Sequence, residues 1–300
     1  MMDRTLDTIA PGSRVAVIRL RSLGDCVLTT PALDLLHAYR PDLSLGVVVE
    51  DRFRAVFEHH PAVSTILSPS LADVRRFQPE MVINFHGGTR SSWMTLGSGA
   101  RIRAGFGHHV GSQAYNLRIP RAQEILGEER PVHTAEHLAS AMFYLGVPRV
   151  EIPRASLYVS DAGREEQGSY AVMHPFASAP DKAWHVDRFV SLAGRLGTQV
   201  VVLAGPQDDV APFAKFCVYQ SAPLDTVKRL LRDAALFVGN DSGPAHMAAA
   251  FNVPCVVLFG PTNPETWGPW RAPSKILKGF ENHQVDDCLR AADELVKVRA

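Results

Sequence analysis

The sequence predicts an α/β chain built as two Rossmann-like domains. Short β-branched runs alternate with longer amphipathic segments, which is the pattern of βα units around a parallel sheet. The alternation begins afresh near residue 170. The 300 residues also leave room for two domains of about 100–200 residues each.

In the first half the strand-like runs are RVAVIRL (14–20), SLGVVVE (44–50), TIL (65–67) and MVINF (81–85), with RIRAGF (101–106) as a candidate fifth. Helical patterns fall near 26–39, 51–59 and 71–77. In the second half the runs are YAVMHPF (170–176), TQVVVLAG (198–205), LFVGN (236–240) and PCVVLFG (254–260). Helical patterns separate them near 185–196, 208–217, 224–235 and 243–251. The weakly patterned stretch 147–168 is the linker candidate, which gives domains 1–155 and 156–300. Near the end, DDCLRAADELVKV (286–298) places Cys288, Leu289, Ala292, Leu295 and Val296 at helical spacing. This last helix is a candidate to pack back on the first domain.

Composition removes several classes. Apolar residues make up 46% and charged residues 21%, a globular mixture. The formal net charge is zero. Residues 1–150 carry 16 Arg and no Lys against 14 acidic residues, so the halves differ little, and no basic block points to nucleic acid. Cysteines stand alone at 26, 217, 255 and 288, which reads as free thiols of a reducing compartment. The N-terminus lacks the apolar core of a signal peptide, and runs such as VPCVVLF (253–259) are far too short to span a bilayer. The expected location is the cytoplasm, with any membrane contact peripheral at the inner membrane.

Three motifs carry chemistry. In RLRSLGDCVLTTPAL (19–33) a buried strand runs through Gly24 and Asp25 into a helix. Glycine permits close approach to the backbone, and the helix start offers unpaired N–H groups and a positive dipole end. Asp25 then sits where open α/β sheets bind ligands. It fits a general base, and it fits a helix cap worth about 1 kcal/mol; on spacing alone the cap is the simpler choice. In MHPFASAPDKAWHVDRF (173–189) a strand ends in a loop of small residues with Ser178 and Lys182. A hydroxyl, an ammonium and backbone N–H groups can hold a diphosphate, and the same loop can also be solvated surface. In FVGNDSGPAHMAAAFNVPCVVLFGPTNPETWGPW (237–270), Asp241, Ser242 and Gly243 put a carboxylate, a hydroxyl and bare backbone at a helix start. His246, by itself, fits a satisfied core histidine as well as a ligand contact.

Taken in order, "LGD" after strand one, "HP…K.W" mid-chain and "DSGP.H.AAA….P.V.LFGPT.P..W.P" near the end make the chain resemble glycosyltransferase family 9, the ADP-heptose:lipopolysaccharide heptosyltransferases. The likeness is collinear over about residues 14–298. It implies the GT-B fold, two Rossmann-like domains facing across a cleft, with the acceptor on the first and the nucleotide-sugar on the second. It implies inverting transfer without metal or other cofactor, from a nucleotide-sugar donor, ADP-heptose, to a glycan or glycolipid acceptor. Asp25 would be the catalytic base. Ser178 and Lys182 would hold the diphosphate, with Asp241, Ser242, Gly243 and His246 along the donor side and Asp208, after the LAGPQDD turn, near the ribose or base. Arg21, Arg52 and Arg90 are the acceptor candidates, from a wider arginine set that includes Arg19, Arg54, Arg101 and Arg103. A sugar-nucleotide epimerase of the same scaffold and a non-catalytic nucleotide-sugar-binding protein are the alternatives.

Other patterns are set aside. HTAEH (133–137) fits H-x-x-E-H but runs into an ordinary helix ending at Gly146. GFGHHVG (105–111) lacks G-x-G-x-x-G spacing. His59–His60 and His108–His109 read as surface pairs, and Asp208–Asp209 as the start of a helix.

Overall fold

The computed structural model describes residues 4–160 and 163–297, so residues 161 and 162 of the linker candidate and residue 298 of the last helix candidate lie outside the described residues. Two compact units divide the chain at Tyr158 and Val159.

The first unit holds β1 (Arg14–Ile18), α1 (Leu23–Tyr39), β2 (Ser44–Val48), β3 (Val63–Leu67), α2 (Leu71–Phe77), β4 (Met81–Asn84), α3 (Gly88–Gly97), β5 (Ile102–Phe106), β6 (Leu117–Ile119), α4 (Ala122–Leu126) and α5 (Thr134–Leu145). Its six strands are parallel in the order β3-β2-β1-β4-β5-β6. Central β1 is apolar because both faces are covered: Val15, Ala16, Val17 and Ile18 are all buried. It pairs with both neighbours at Ala16, against Gly46 and Val82.

The second unit repeats the plan with β7 (Tyr170–His174), α6 (Val186–Arg195), β8 (Gln199–Ala204), β9 (Cys217–Gln220), α7 (Leu224–Arg232), β10 (Leu236–Asn240), α8 (Gly243–Ala250), β11 (Cys255–Phe259), α9 (Pro264–Trp267), β12 (Ser274–Lys278) and α10 (Val285–Lys297). The order is β12-β11-β10-β7-β8-β9. Its core gathers Trp184, Phe189, Leu192, Val202, Phe213 and Val256. Cys288, Ala291, Ala292 and Leu295 of α10 belong to that same core. The apolar face that the sequence offered for packing on the first domain is therefore used inside the second unit.

Several elements differ from expectation. The helix expected near 208–217 is a single 3₁₀ turn, Ala211–Phe213, followed by β9. Pro206 and Pro212 withhold backbone donors, and Cys217–Gln220 finds its hydrogen bonds on β8 instead. Residues 51–56 form a 3₁₀ helix within the segment expected as a helix. Strands β6, β9 and β12 escape the sequence pattern because they lie in the outer positions of their sheets or at the rim, where burial is partial. Helix α3 escapes it because its interior is small and polar. Ser91 and Thr95 donate back to the Gly87 and Ser91 carbonyls. His59–His60 is not a surface pair: His60 is 2% exposed, contacts Ser156 Oγ and accepts from Ala62 N at Nδ1. Burial pulls its pKa down to about 4. Among the described residues no helix is long and apolar enough to cross a membrane.

Packing around β10 sets a strict limit at Gly239, which pairs with His174. A Cβ there would lie 2.6 Å from the His174 carbonyl oxygen. Gly194, on α6, has nothing within 4 Å of the same added atom. Gly239→Ala should therefore cost about 1–3 kcal/mol by overpacking, while Gly194→Ala should gain about 0.5–1 kcal/mol through helix propensity. Thermal melts should move in opposite directions; a Gly239→Ala protein that melts with the wild type contradicts the packing.

Candidate functional site

An open parallel sheet binds ligands outside the carboxyl ends of its strands, where the strand order reverses. Both sheets reverse beside their first strand: at β1 and β4 in the first unit, and at β7 and β10 in the second.

In the first unit β1 leads through Arg19 to Ser22, the N-cap of α1. Asp25 is the third residue of that helix, not its cap. Ser22 N and Ser22 Oγ donate to Asp25 Oδ2 at 3.2 and 2.9 Å, closing a capping box. Arg19 donates to Oδ1 at 3.4 Å. Arg19 is nearly buried, with 8% of its side chain exposed, whereas Asp25 keeps 23%. Burial draws the Arg19 pKa down and the Asp25 charge opposes this. Capping alone requires no opening, yet Asp25 lines an open pocket of about 500 Å³ with Arg19, Arg21, Arg52, Phe53 and His86.

His86, at the end of β4, was not anticipated as a pocket residue. Burial lowers its pKa, and Arg19 and Arg21 add to the effect, so it stands as a neutral imidazole. Its backbone N–H donates to Asn84 Oδ1, which aims the turn after β4. Behind Asp25, burial pushes the Cys26 thiol up to about 12, which leaves it an inert thiol.

The arginine candidates separate. Arg21 and Arg52 line the pocket, and Arg52 also holds Glu50 and lies over Phe53, 4.7 Å from the ring centre. Arg90 projects from α3, donates to the Pro69 carbonyl and reaches Glu50 at 3.8 Å, outside the Asp25 pocket. Arg54 donates to the Ile66 carbonyl and lines a different pocket. Arg101 pairs with Glu80 at the opposite end of the strands, and Arg103 is spent on the Ala100 and Ala114 carbonyls.

In the second unit the groups converge from three strand ends. Asn240, last residue of β10, accepts from Trp184 N at 3.0 Å and donates to the Pro175 carbonyl at 2.8 Å. One buried amide thus clamps both ends of the loop that carries Ser178 and Lys182. Ser178 is exposed, and Lys182 closes a single 3₁₀ turn, Pro180–Lys182. The chain at Gly260 presses on this loop: a Cβ there would meet the Asp181 carbonyl at 2.8 Å.

Asp241 follows Asn240. Burial pushes its carboxyl pKa up, while the Thr262 hydroxyl, 2.7 Å away, and the Lys182 charge pull it down. Ser242 occupies the N-cap position of α8 without a capping bond from its hydroxyl, which meets His174 Nδ1 at 3.1 Å instead. Burial lowers the His174 pKa to about 4. Gly243 opens the helix and presents its backbone N–H at the positive dipole end; Pro244 has none, and Ala245 N donates to the Ser242 carbonyl. His246 lies deeper, 5% exposed, with its ring edge toward Trp267. Asp208 accepts from Gly205 N at 2.7 Å, so one of its oxygens shapes the turn after β8. Asp209 accepts from Ala211 N at the following 3₁₀ turn.

In the second unit, His174, Asn240 and Thr262 are groups that the sequence did not single out. Each lay inside a quoted motif, but their partners are 68, 56 and 21 residues away in the chain. HTAEH has other work: His133 Nδ1 accepts from Ala135 N, Glu136 holds Arg130, and His137 stacks on Phe106. Among the described residues no three His, Cys, Asp or Glu side chains are arranged to hold a metal ion.

The raised pKa of Asp241 has a defined sign for stability. The folded chain disfavours the charged carboxylate, so the penalty is absent below the unfolded value of about 3.9 and grows as pH rises through the folded one. Asp241→Asn keeps an acceptor for Thr262 and removes the charge. It should raise the Tm at about pH 7 and lose that advantage toward about pH 3. A melting point equal to wild type at neutral pH counts against a net desolvation penalty on this carboxylate.

Residues 72–297 match glycosyltransferase family 9 (heptosyltransferase). Lipopolysaccharide heptosyltransferase 3 of Escherichia coli (strain K12) is 24% identical, over 84% of this chain and 83% of its own. The glycosyl transferase family 9 structure from Veillonella parvula DSM 2008 aligns with a TM-score of 0.84 at 21% identity, covering 95% of this chain and 97% of that one. The E. coli ADP-heptose lps heptosyltransferase II aligns at 0.78 and 20%, covering 95% and 99%. The structural likeness shows a shared two-sheet GT-B fold. The sequence match runs from α2 to the last helix and so includes part of the first sheet and all of the second. The chain belongs to glycosyltransferase family 9, the heptosyltransferase family, and is a glycosyltransferase.

Proposed function

We propose that the protein transfers a heptose from ADP-heptose to a lipopolysaccharide or related glycan acceptor, by a single inverting displacement that uses no metal or other cofactor. The observation that carries this reading is the Asp25 carboxylate. It is held by Ser22 and Arg19, yet remains open to a pocket whose other charged groups are arginines. The names of the relatives supply the donor and the acceptor class.

In the proposed step an acceptor hydroxyl gives its proton to Asp25 as its oxygen attacks the anomeric carbon. The bond from that carbon to the diphosphate breaks on the opposite face, and ADP departs with the electron pair. A positioned base contributes about 10²–10⁴ in rate. Arg19 and the Ser22 donors fix the direction of the carboxylate, and Arg21 and Arg52 are placed to hold an anionic part of the acceptor. On the second unit, Lys182, Ser178 and the N-terminus of α8 at Gly243 would take the charge growing on the leaving diphosphate. Each such contact is worth a few kcal/mol at most, by analogy with oxyanion donors. These cationic and dipolar groups supply what a divalent ion would otherwise provide. We place the reaction in the cytoplasm, with the acceptor presented at the inner face of a membrane.

Asp25→Asn preserves size and an acceptor for Ser22 but removes the base. It should lower kcat by about 10²–10⁴ while the Kd for ADP, followed by calorimetry, stays within about twofold; wild-type turnover in this variant rules Asp25 out as the base. Lys182→Ala should weaken ADP more than adenosine, and an equal loss for both places the ammonium away from the phosphates.

A further inference from the structure

Helix α3 shows an unusual face. Trp93 is 64% exposed and Leu96 47%, and Val110 in the loop after β5 is 75% exposed. The three belong to one surface, because Gly88 N and Ser92 Oγ at the start of α3 both donate to the Val110 carbonyl. Grooves flank Trp93 on two sides. One is mainly apolar, between α3 and the turn at Gly111–Ala114. The other runs toward Leu71 and is lined by Arg75 and Arg90, the charged groups of either groove. Arg75 is fixed there by its hydrogen bond to the Gly97 carbonyl at the end of α3.

Residues 81–123 hold no Asp or Glu; of the arginines in that run Arg90 lies on this face, while Arg101 and Arg121 pair with Glu80 and Glu124 elsewhere. A face that exposes tryptophan, leucine and valine beside two arginines, with no acidic side chain lining either groove, is unlike an ordinary solvated face, where both signs mix.

We propose that the α3 face, with Trp93, Leu96 and Val110 as the inserted groups and Arg75 and Arg90 beside them, docks the protein on an anionic lipid surface. Tryptophan favours the boundary between headgroups and acyl chains, and guanidinium groups pair with the phosphates just above it. Self-association fits less well. A two-fold contact sets a patch against itself, so the arginines of one copy would face those of the other with no carboxylate from either groove between them. This surface deepens the glycolipid-acceptor reading by bringing the enzyme to the layer in which such an acceptor resides. Its test needs neither donor nor acceptor, so failure here leaves the transferase reading standing.

The experiment is co-sedimentation of the full chain with vesicles. Phosphatidylcholine vesicles are compared with phosphatidylcholine–phosphatidylglycerol vesicles at about 7:3, so that surface charge is the variable. Wild type should pellet with the charged vesicles, stay largely in solution with the neutral ones, and be released as NaCl is raised to about 0.5 M. The Trp93→Ala/Leu96→Ser double variant should lower the partition coefficient by about tenfold or more. Val110→Asp, on a surface loop, should do the same. Melting points equal to wild type exclude unfolding as the cause. The proposal is overturned if wild type ignores charged vesicles, if both variants bind as wild type does, or if neutral vesicles bind equally well. It also falls if Trp93 instead mediates a dimer that the double variant dissolves without any vesicle binding.

Discussion

Each half of this protein depends on one topological constraint. In both sheets the chain goes outward from the first strand to one side and then returns to the other. The loops that follow these two neighbouring strands, β1 and β4 or β7 and β10, thus leave in opposite directions and cannot fill the space between them. In the first unit that space exposes Asp25 beside His86. In the second it gathers His174, Asn240, Asp241 and Ser242. The polar groups there hold one another: Asn240 clamps the lysine loop, Thr262 meets Asp241, and Ser242 meets His174. The resulting groups face the strand ends at fixed angles, which is what a site for a charged ligand requires.

Much of this was legible in the sequence because burial writes itself into composition. The inner strands β1, β2, β4, β7, β8, β10 and β11 are covered on both faces and read as apolar runs. The rim strands are not, and Ser274–Lys278, with lysines at 275 and 278, gives no such signal. The segment 208–217 misled because its apolar residues fit helical spacing while its prolines and the free edge of β8 favoured a turn and a strand. Pairing with β8 is a tertiary effect that no local window contains.

The site shows the same division. Asp25, Asp241, Ser242 and Gly243 stood out because helix starts after strands are recognisable locally. The choice between cap and base at Asp25 was open in the sequence, and the structure gives the residue a capping-box bond and an open pocket together. Asn240 could not be recognised as the clamp of the lysine loop, since its partners lie on another strand and another loop. His60 was misjudged for a related reason: an HH pair looks hydrophilic until Ser156, far along the chain, covers one of its rings. The exposed α3 face left no signal in the sequence, because the projection of Trp93 and Leu96 depends on the helix itself.

A structure of the protein crystallised with ADP tests the central proposal most directly. The account predicts the diphosphate at the reversal point of the second sheet, within hydrogen-bonding distance of Lys182 Nζ and the backbone N–H of Gly243. Diphosphate seated in the arginine-lined pocket beside Asp25, with the β7–β10 end vacant, would contradict it.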